Sequence, residues 1–324
     1  MSQPVDKPEI SVVIAAFQCA SFVRRAIDSA LSQQGVSLEV IVVDDCSKDE
    51  TLNVLNAIAK LDDRVRVISL SKNGGPSKAR NAGFEAATSD WVAVLDADDA
   101  YLPGRLFRML NFARENNADI VADNFLYFDL AADEMGKPAL KTSPESELIT
   151  LEVFVERSRP YADEADYGLL KPMFRRQFLE ERGLKYPTDL RHGEDFVFYL
   201  DVLSSGAIFY LSRYPGYAYT TRNSGLSRTE IDYSKQIRVA NDLCNDEKFS
   251  SFPNVRQHMW MRKVSLERLQ IERRYRSIEV GNIFIEKLKF LTMNIGGSRV
   301  LLPLIVRDLK KFIKSMVLRR GRAI

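Results

Sequence analysis

Over its first hundred residues the chain alternates short apolar runs with segments of helical periodicity, and this alternation limits the fold more than any other feature. The apolar runs are continuous and rich in β-branched residues, which is typical of strands buried on both faces of a parallel sheet. They occupy residues 10–16, 40–43, 65–70 and 91–95. The helical segments between them imply right-handed crossovers. We therefore predict an α/β fold with a doubly wound, mainly parallel, Rossmann-like sheet.

The pattern changes after Asp99. After it we predict a helix at 102–116, a strand at 120–128 and a hairpin-like turn at 134–137. A second helix at 196–203 and a last strand at 208–211 follow. From about residue 232 the chain reads as helical and basic. We therefore divide it into an α/β domain over residues 1–230 and a basic helical C-terminal region over residues 231–324.

The net charge of +2 conceals a strong asymmetry. Residues 255–324 hold 17 Lys and Arg against 5 Asp and Glu, whereas residues 1–254 hold 29 against 39. A basic region of this kind usually faces an anionic surface, although it can also be a solvated helical tail. The acidic remainder makes nucleic acid an improbable partner.

Composition restricts the compartment and the class of protein. Apolar residues make up 45% of the 324, which is enough for a sizeable core without disulfides or a structural metal. The three cysteines, Cys19, Cys46 and Cys244, are widely spaced and fit a reducing compartment. No apolar run reaches the ~18 residues of a membrane span, and the start lacks a basic leader. We expect a cytoplasmic protein.

Acidic clusters follow two of the predicted strands. Asp44 and Asp45 close the second strand, and Asp96, Asp98 and Asp99 close the fourth. In an open α/β sheet, ligands bind beyond the carboxyl ends of the strands. Carboxylates crowded there repel one another unless a cation compensates, and oxygen-only ligands suit Mg²⁺ or Mn²⁺. One such cluster could simply cap a helix, but two at neighbouring strand ends favour a metal-assisted site.

The combined motifs resemble family-two glycosyltransferases, inverting enzymes with the GT-A fold that use a nucleotide sugar. The resemblance spans residues 8–225 and rests on five segments in the family's order and spacing, at residues 10–17, 43–51, 73–83, 96–99 and 192–195. The last of these reads His-Gly-Glu-Asp, similar to the family's acidic motif. The final hundred residues carry no comparable motif.

The resemblance implies a role for each matching residue on the donor side. The backbone of Ala15 and the carboxylate of Asp45 should lie against a uracil-type base. Arg80, with Lys78 helping, should lie near the nucleotide, although both could instead belong to an exposed helix face. Asp96 should approach the ribose or the sugar.

The same resemblance assigns the metal and the reaction. Asp98 and Asp99 should hold Mn²⁺ or Mg²⁺ at the donor diphosphate, and either could be the direct ligand. Asp195 matches the family's general base, with Glu194 as the lesser candidate, unless the pair simply caps a helix. Arg222, in a loop resembling one that closes over the donor, could reach the pyrophosphate or be merely solvated. His192 could be structural or could contact metal or phosphate.

Departures from the family pattern refine the expectation. The Gln-x-x-Arg-Trp motif of processive members is absent, which favours single addition, and residues 168–176 should help form the acceptor side. Within the family the chain is similar to bacterial exopolysaccharide glucosyltransferases of the succinoglycan type. That similarity implies UDP-glucose as donor and a lipid-linked oligosaccharide as acceptor.

Three other functions remain open. A nucleotidyltransferase would need a Gly-rich basic loop after the first strand, which residues 16–21 do not supply. A phospho-acceptor receiver module would be shorter and leaves the second acidic cluster unexplained. A non-catalytic assembly or binding module of a polysaccharide machinery is compatible with the sequence.

The C-terminal tail has an amphipathic pattern. Apolar residues recur at helical spacing between residues 300 and 318, and basic residues occupy the positions between them. Such a helix can lie at the surface of an anionic membrane, which would suit a lipid-linked acceptor. The alternative is that its apolar stripe docks on this protein's own helices or on a second copy in a homo-oligomer.

Overall fold

The computed structural model describes residues 7–221 and 233–276. Ten strands form one mixed sheet: β1 Ile10–Ala16, β2 Leu38–Asp44, β3 Val65–Ser69, β4 Trp91–Asp96, β5 Ala100–Tyr101, β6 Ile120–Asp129, β7 Glu134–Pro138, β8 Ser146–Leu148, β9 Met173–Arg175 and β10 Phe209–Thr221. The helices of the described part are α1 Val23–Leu31, α2 Thr51–Ala59, α3 Pro76–Ala86, α4 Arg105–Glu115, α5 Leu151–Arg157, α6 Arg176–Glu181, α7 Glu194–Ser204, α8 Ser234–Asn245 and α9 Pro253–Arg276. A 3₁₀ turn, Tyr167–Leu169, precedes β9.

The strand order is β3-β2-β1-β4-β9-β6-β10-β5, with β7 paired to β6 and β8 paired to β10. Strands β1 to β4 run parallel, which confirms the predicted doubly wound half of the sheet. The order reverses at β1, because β2 lies on one side of it and β4 on the other. This reversal opens a crevice beyond the carboxyl ends of β1 and β4, where such sheets bind ligands.

The central strands are buried on both faces, as their continuous apolar runs predicted. Val12 and Ile14 of β1 belong to the main core, which α1, α2 and the later helices cover. Val13, between them, faces a second core beneath α3 with Val43 and Val92. Alternate residues of one strand thus serve two helical layers.

Helix α3 approaches the sheet closely because Gly83 has no side chain. A Cβ added at Gly83 would lie 2.3 Å from Cγ1 of Val13. We expect Gly83→Ala to lower the free energy of unfolding by about 1–3 kcal/mol, since overpacking outweighs the better helix propensity of alanine. Urea unfolding measures this. Glu85→Ala, on the exposed side of α3, is the control and should change stability by less than ~0.5 kcal/mol. A Gly83→Ala protein as stable as the wild type would contradict the close approach.

Two predicted elements differ in the structure. The turn lies at residues 130–133, not at 134–137, because Glu134 pairs with Asp129 across the β6–β7 hairpin. The carboxylate of Asp129 accepts hydrogen bonds from the backbone N–H groups of Ala131 and Ala132, which fixes the turn there. The strand predicted at 208–211 is the start of the much longer β10, which accommodates Pro215 at a register shift.

The predicted division near residue 230 falls outside the described residues. On the C-terminal side of it, Phe249, Val255 and Met259 are buried in the same core as the sheet. No helix within the described ranges is long and apolar enough to cross a membrane.

Candidate active site

A cleft of about 860 Å³ opens at the carboxyl ends of β1 and β4. The predicted site residues that line it are Ala15, Asp45, Arg80, Asp96, Asp98, Asp99, Glu194 and Asp195. Lys78 is exposed and does not line the cleft. It lies two positions from the inward-facing Arg80, and two residues of a helix are about 200° apart around the axis. Arg222 lies outside the described residues.

Arg80 joins the two acidic motifs at the floor of the cleft. Its side chain is 5% exposed, and its Nη2 donates to Oδ1 of Asp96 at 2.8 Å. Its Nη1 donates to Oε1 of Glu194 at 3.0 Å and to Oδ1 of Asp195 at 3.2 Å. The carboxylates come from the end of β4 and the start of α7. The predicted nucleotide-side arginine is therefore bound to the predicted base and to its neighbour.

Lys171 provides a second cation that sequence reasoning did not single out. It precedes β9, and its Nζ lies 2.8 Å from Oδ2 of Asp195 and 3.1 Å from Oδ2 of Asp96. The sequence signal was slight, because a single lysine within the segment assigned to the acceptor side carries no motif. The contact arises from the antiparallel pairing of β9 with β4, which brings the residues before β9 to the carboxyl end of β4.

The network shifts the pKa values of Lys171, Asp96 and Glu194. Burial alone would lower the pKa of Lys171, but Asp195 and Asp96 raise it well above its ordinary value. Burial would raise the pKa of Asp96, yet Lys171 and Arg80 hold it well below its usual range. The pKa of Glu194 is raised by burial and by the adjacent Asp195. Glu194 therefore protonates more readily than Asp96.

Asp45 is held by the turn that begins α3. Its Oδ1 accepts from Gly74 N–H at 2.7 Å and its Oδ2 from Gly75 N–H at 2.8 Å. Gly75 has φ +83°, a conformation that favours glycine. The carboxylate lines the cleft near Ala15, and each oxygen keeps a second lone pair for a ligand.

Asp98 and Asp99 are placed differently. Asp99 is 2% exposed, and its oxygens accept from the hydroxyl of Tyr217 at 2.6 Å and from Thr220 N–H at 2.7 Å. Asp98 is half-buried at the cleft. The structure therefore distinguishes the two acidic residues of the motif: Asp99 is buried and bonded to β10, whereas Asp98 is the more exposed of the two, and both line the cleft.

The residues present fit a divalent cation held jointly with a substrate. Burial and the carboxylates of Asp98 and Asp96 raise the pKa of Asp99, a crowding of like charge that a cation would relieve. Within residues 7–221 and 233–276, no group of three or more His, Cys, Asp or Glu side chains is arranged to hold a metal by itself. Mg²⁺ commonly takes only one or two carboxylates and completes its shell with phosphates and water.

Further cleft residues come from regions that the sequence did not connect with the site. Arg262 of α9 is 5% exposed and donates to Oδ2 of Asp166 at 3.1 Å, while its guanidinium lies 3.8 Å from the ring centroid of Phe196. His192, which the sequence had already connected with the site, also lines the cleft, and its pKa is lowered by burial and by the nearby Arg273 and Arg191. Helices α8 and α9 both contribute residues to the cleft.

The fold is similar to that of known GT-A glycosyltransferases. The crystal structure of S. aureus TarS 1-349 in complex with UDP-GlcNAc matches with a TM-score of 0.63 and 18% identity, over 94% of this chain and 81% of that one. The structure of S. aureus TarS 1-349 matches with a TM-score of 0.62 and 20% identity, over 97% and 92%. The fold and its acidic cleft place the protein in the GT-A class.

Sequence comparison then identifies the family. The profile of Glycosyl transferase family 2 matches residues 11–181. The succinoglycan biosynthesis protein ExoO of Rhizobium meliloti is 40% identical over 245 residues, 74% of this chain and 68% of that protein. ExoU of the same organism is 35% identical over 248 residues, 75% and 71% of the two chains. The chain belongs to glycosyl transferase family 2 and is a glycosyltransferase, which confirms the predicted family, fold and enzyme class.

Proposed function

We propose that this enzyme transfers one sugar, with glucose from UDP-glucose as the first candidate, to a lipid-linked oligosaccharide or other glycan acceptor in exopolysaccharide synthesis. The observation that carries the proposal is the ion-paired Asp195 in the cleft at the β1–β4 crevice, beside the acidic end of β4. The names of the relatives ExoO and ExoU support the pathway. The UDP and UDP-GlcNAc complexes of TarS support the nucleotide part of the donor.

In this proposal the chain's residues divide between donor and acceptor. Asp45 accepts a hydrogen bond from a ring N–H of the base, next to the backbone of Ala15. Asp96 lies near the ribose or the sugar. Asp98 and Asp99 would hold Mn²⁺ or Mg²⁺, which would supply positive charge for the leaving diphosphate. Arg222, which lies outside the described residues, is proposed to bind the pyrophosphate.

The reaction itself depends on Asp195. An acceptor hydroxyl attacks the anomeric carbon from the face opposite the diphosphate, and the C–O bond to the diphosphate breaks as the new glycosidic bond forms. Asp195 takes the hydroxyl proton during this step, so that the product leaves with inverted configuration. Glu194 serves as a structural partner through Arg80.

The proposed setting is the inner face of the plasma membrane, reached through the basic tail. The tail's amphipathic pattern, residues 300–318, lies outside the described residues. We propose from the sequence that it binds lipid, with docking in a homo-oligomer as the alternative. Residues 255–324 hold 17 basic and 5 acidic residues, and this positive charge supports an anionic partner for the region.

The proposed reaction predicts release of UDP from a nucleotide sugar. We expect the purified protein, given acceptor-containing lipid extract from an exopolysaccharide-producing strain, to release UDP faster from UDP-glucose than from other nucleotide sugars. Release should increase with Mn²⁺ or Mg²⁺ and fall with EDTA. Release of pyrophosphate from a nucleoside triphosphate and a sugar phosphate would instead favour a nucleotidyltransferase. UDP binding without turnover on any donor would favour the non-catalytic alternative.

A further inference from the structure

Lys171 is a buried lysine whose backbone is fixed on both sides. Its side chain is 5% exposed. The carbonyls of residues 170, 171 and 172 accept hydrogen bonds from the hydroxyl of Tyr199 at 2.9 Å, from Nη2 of Arg105 at 2.6 Å and from the backbone N–H of Val94 at 3.2 Å. Three consecutive carbonyls are therefore bound to α7, α4 and β4. The ammonium group therefore reaches the cleft from a stretch of backbone that three hydrogen bonds hold in place.

Lys171 and Arg80 link the same two carboxylates through different oxygens. Lys171 contacts Oδ2 of both Asp96 and Asp195, while Arg80 contacts Oδ1 of both. The four charged groups close a ring that joins the carboxyl end of β4 to the start of α7. A carboxylate bound through both oxygens cannot rotate freely, so the orientation of Asp195 is set by the two cations together.

Removing Lys171 would release one side of Asp195. Of the residues that the structure describes, Arg80 alone would then form an ion pair with its carboxylate, and Asp96 and Glu194 are like charges bound to the same guanidinium. In the ring, each oxygen of Asp195 uses one lone pair for a cation and has a second one left. The direction of this second lone pair decides whether an acceptor hydroxyl can donate its proton to it. A displacement of about 1 Å in such a group can cost roughly 10²-fold in rate.

We propose that Lys171 is a positioning residue that, with Arg80, ties Asp195 to Asp96 and so orients the base relative to the donor side of the cleft. This inference rests on the proposed function, in which Asp195 takes the proton of the acceptor hydroxyl. It predicts that loss of Lys171 lowers the rate of the transfer step and leaves binding of the nucleotide nearly unchanged. Asp96, the ring member assigned to the donor, would keep its contact with Arg80, and the nucleobase residues Ala15 and Asp45 are not in the ring.

The test compares Lys171→Met, Lys171→Arg and the control Lys185→Met in the full chain. Lys185 also forms an ion pair, with Glu85 at 2.6 Å, but both side chains are more than 60% exposed. We expect Lys171→Met to lower kcat by about 10²-fold, with KM for the donor and UDP affinity by calorimetry within about threefold of wild type. Lys171→Arg should regain at least tenfold, and Lys185→Met should match wild type. Should the methionine variant not fold by circular dichroism, Lys171→Gln, which keeps a hydrogen-bond donor, takes its place.

A double-mutant cycle with Asp195→Asn tests the positioning role of Lys171 separately from the general-base role of Asp195. If Lys171 acts through Asp195, adding Lys171→Met to Asp195→Asn should lower the remaining rate, measured with radiolabelled donor, by less than about threefold. An undiminished effect of Lys171→Met in that background, or a kcat equal to that of Lys185→Met, would overturn the positioning role. If Asp195→Asn alone kept the wild-type rate, the proposed base would be wrong, whatever Lys171 does.

Discussion

Asp195→Asn should lower the rate of sugar transfer by about 10²–10⁴-fold, the usual cost of losing general-base catalysis. Asparagine keeps the size of the side chain and one oxygen for Arg80 or Lys171, but its amide cannot take a proton at neutral pH. The nucleotide is expected to contact other residues, so UDP affinity should stay nearly unchanged. Transfer is measured as UDP release with acceptor present, and affinity by calorimetry.

Glu194→Gln is the matched control for Asp195→Asn. Glu194 precedes Asp195 in α7, is similarly buried and contacts the same Nη1 of Arg80, but it has no contact with Lys171 among the ion pairs of the described residues. Its raised pKa, due to burial and to Asp195, also makes a neutral side chain at this position less disruptive. We expect a much smaller loss of rate than for Asp195→Asn. If Glu194→Gln were the more damaging change, the roles of the two residues would have to be exchanged.

Asp98→Asn should remove most of the metal dependence of UDP binding. Asp98 lines the cleft and is more exposed than Asp99, so it is the carboxylate we expect to contact the ion. Its loss should weaken metal-dependent UDP binding by roughly 10–100-fold or more, since even outer groups of a metal site cost that much. Calorimetry of UDP with and without Mn²⁺ measures the effect. The Asp98→Ala, Asp99→Ala double variant should lose it entirely, and unchanged Mn²⁺-dependent affinity there would refute the metal site.

A substitution at Asp99 should instead lower stability, which distinguishes its structural role from the metal-binding role expected of Asp98. Asp99→Ala leaves the buried hydroxyl of Tyr217 and the backbone N–H of Thr220 without their acceptor. We expect a loss of about 1–3 kcal/mol in the free energy of unfolding, which urea titration can measure. Asp98→Asn should cause no comparable loss, because its side chain is only half-buried.

The parts of the fold that the sequence predicted well are those encoded by neighbouring residues. Strands β1 to β4 follow from local apolar runs, and the structure places them within a few residues of the expected bounds. The hairpin turn was misplaced because its position depends on which residues of β6 and β7 pair, and pairing is not visible in local composition. The full length of β10 was missed for the same reason, since its hydrogen bonds to β6 support a segment that includes Pro215.

In the cleft, the carboxylates that the sequence predicted for the site do line the cavity, because their motifs lie at strand ends and at a helix start. The tertiary structure decided how those carboxylates are held. Arg80 and Glu194 meet across 114 positions of the chain, and Lys171 reaches Asp195 only because β9 runs antiparallel beside β4. It also decided that Asp99 is buried and bonded to Tyr217 while Asp98 stays half-buried, and that Lys78 is exposed outside the cleft. The physical reason is that local patterns fix strands and helices, whereas the partner of a buried charge is chosen by strand order and packing between segments that are distant in sequence.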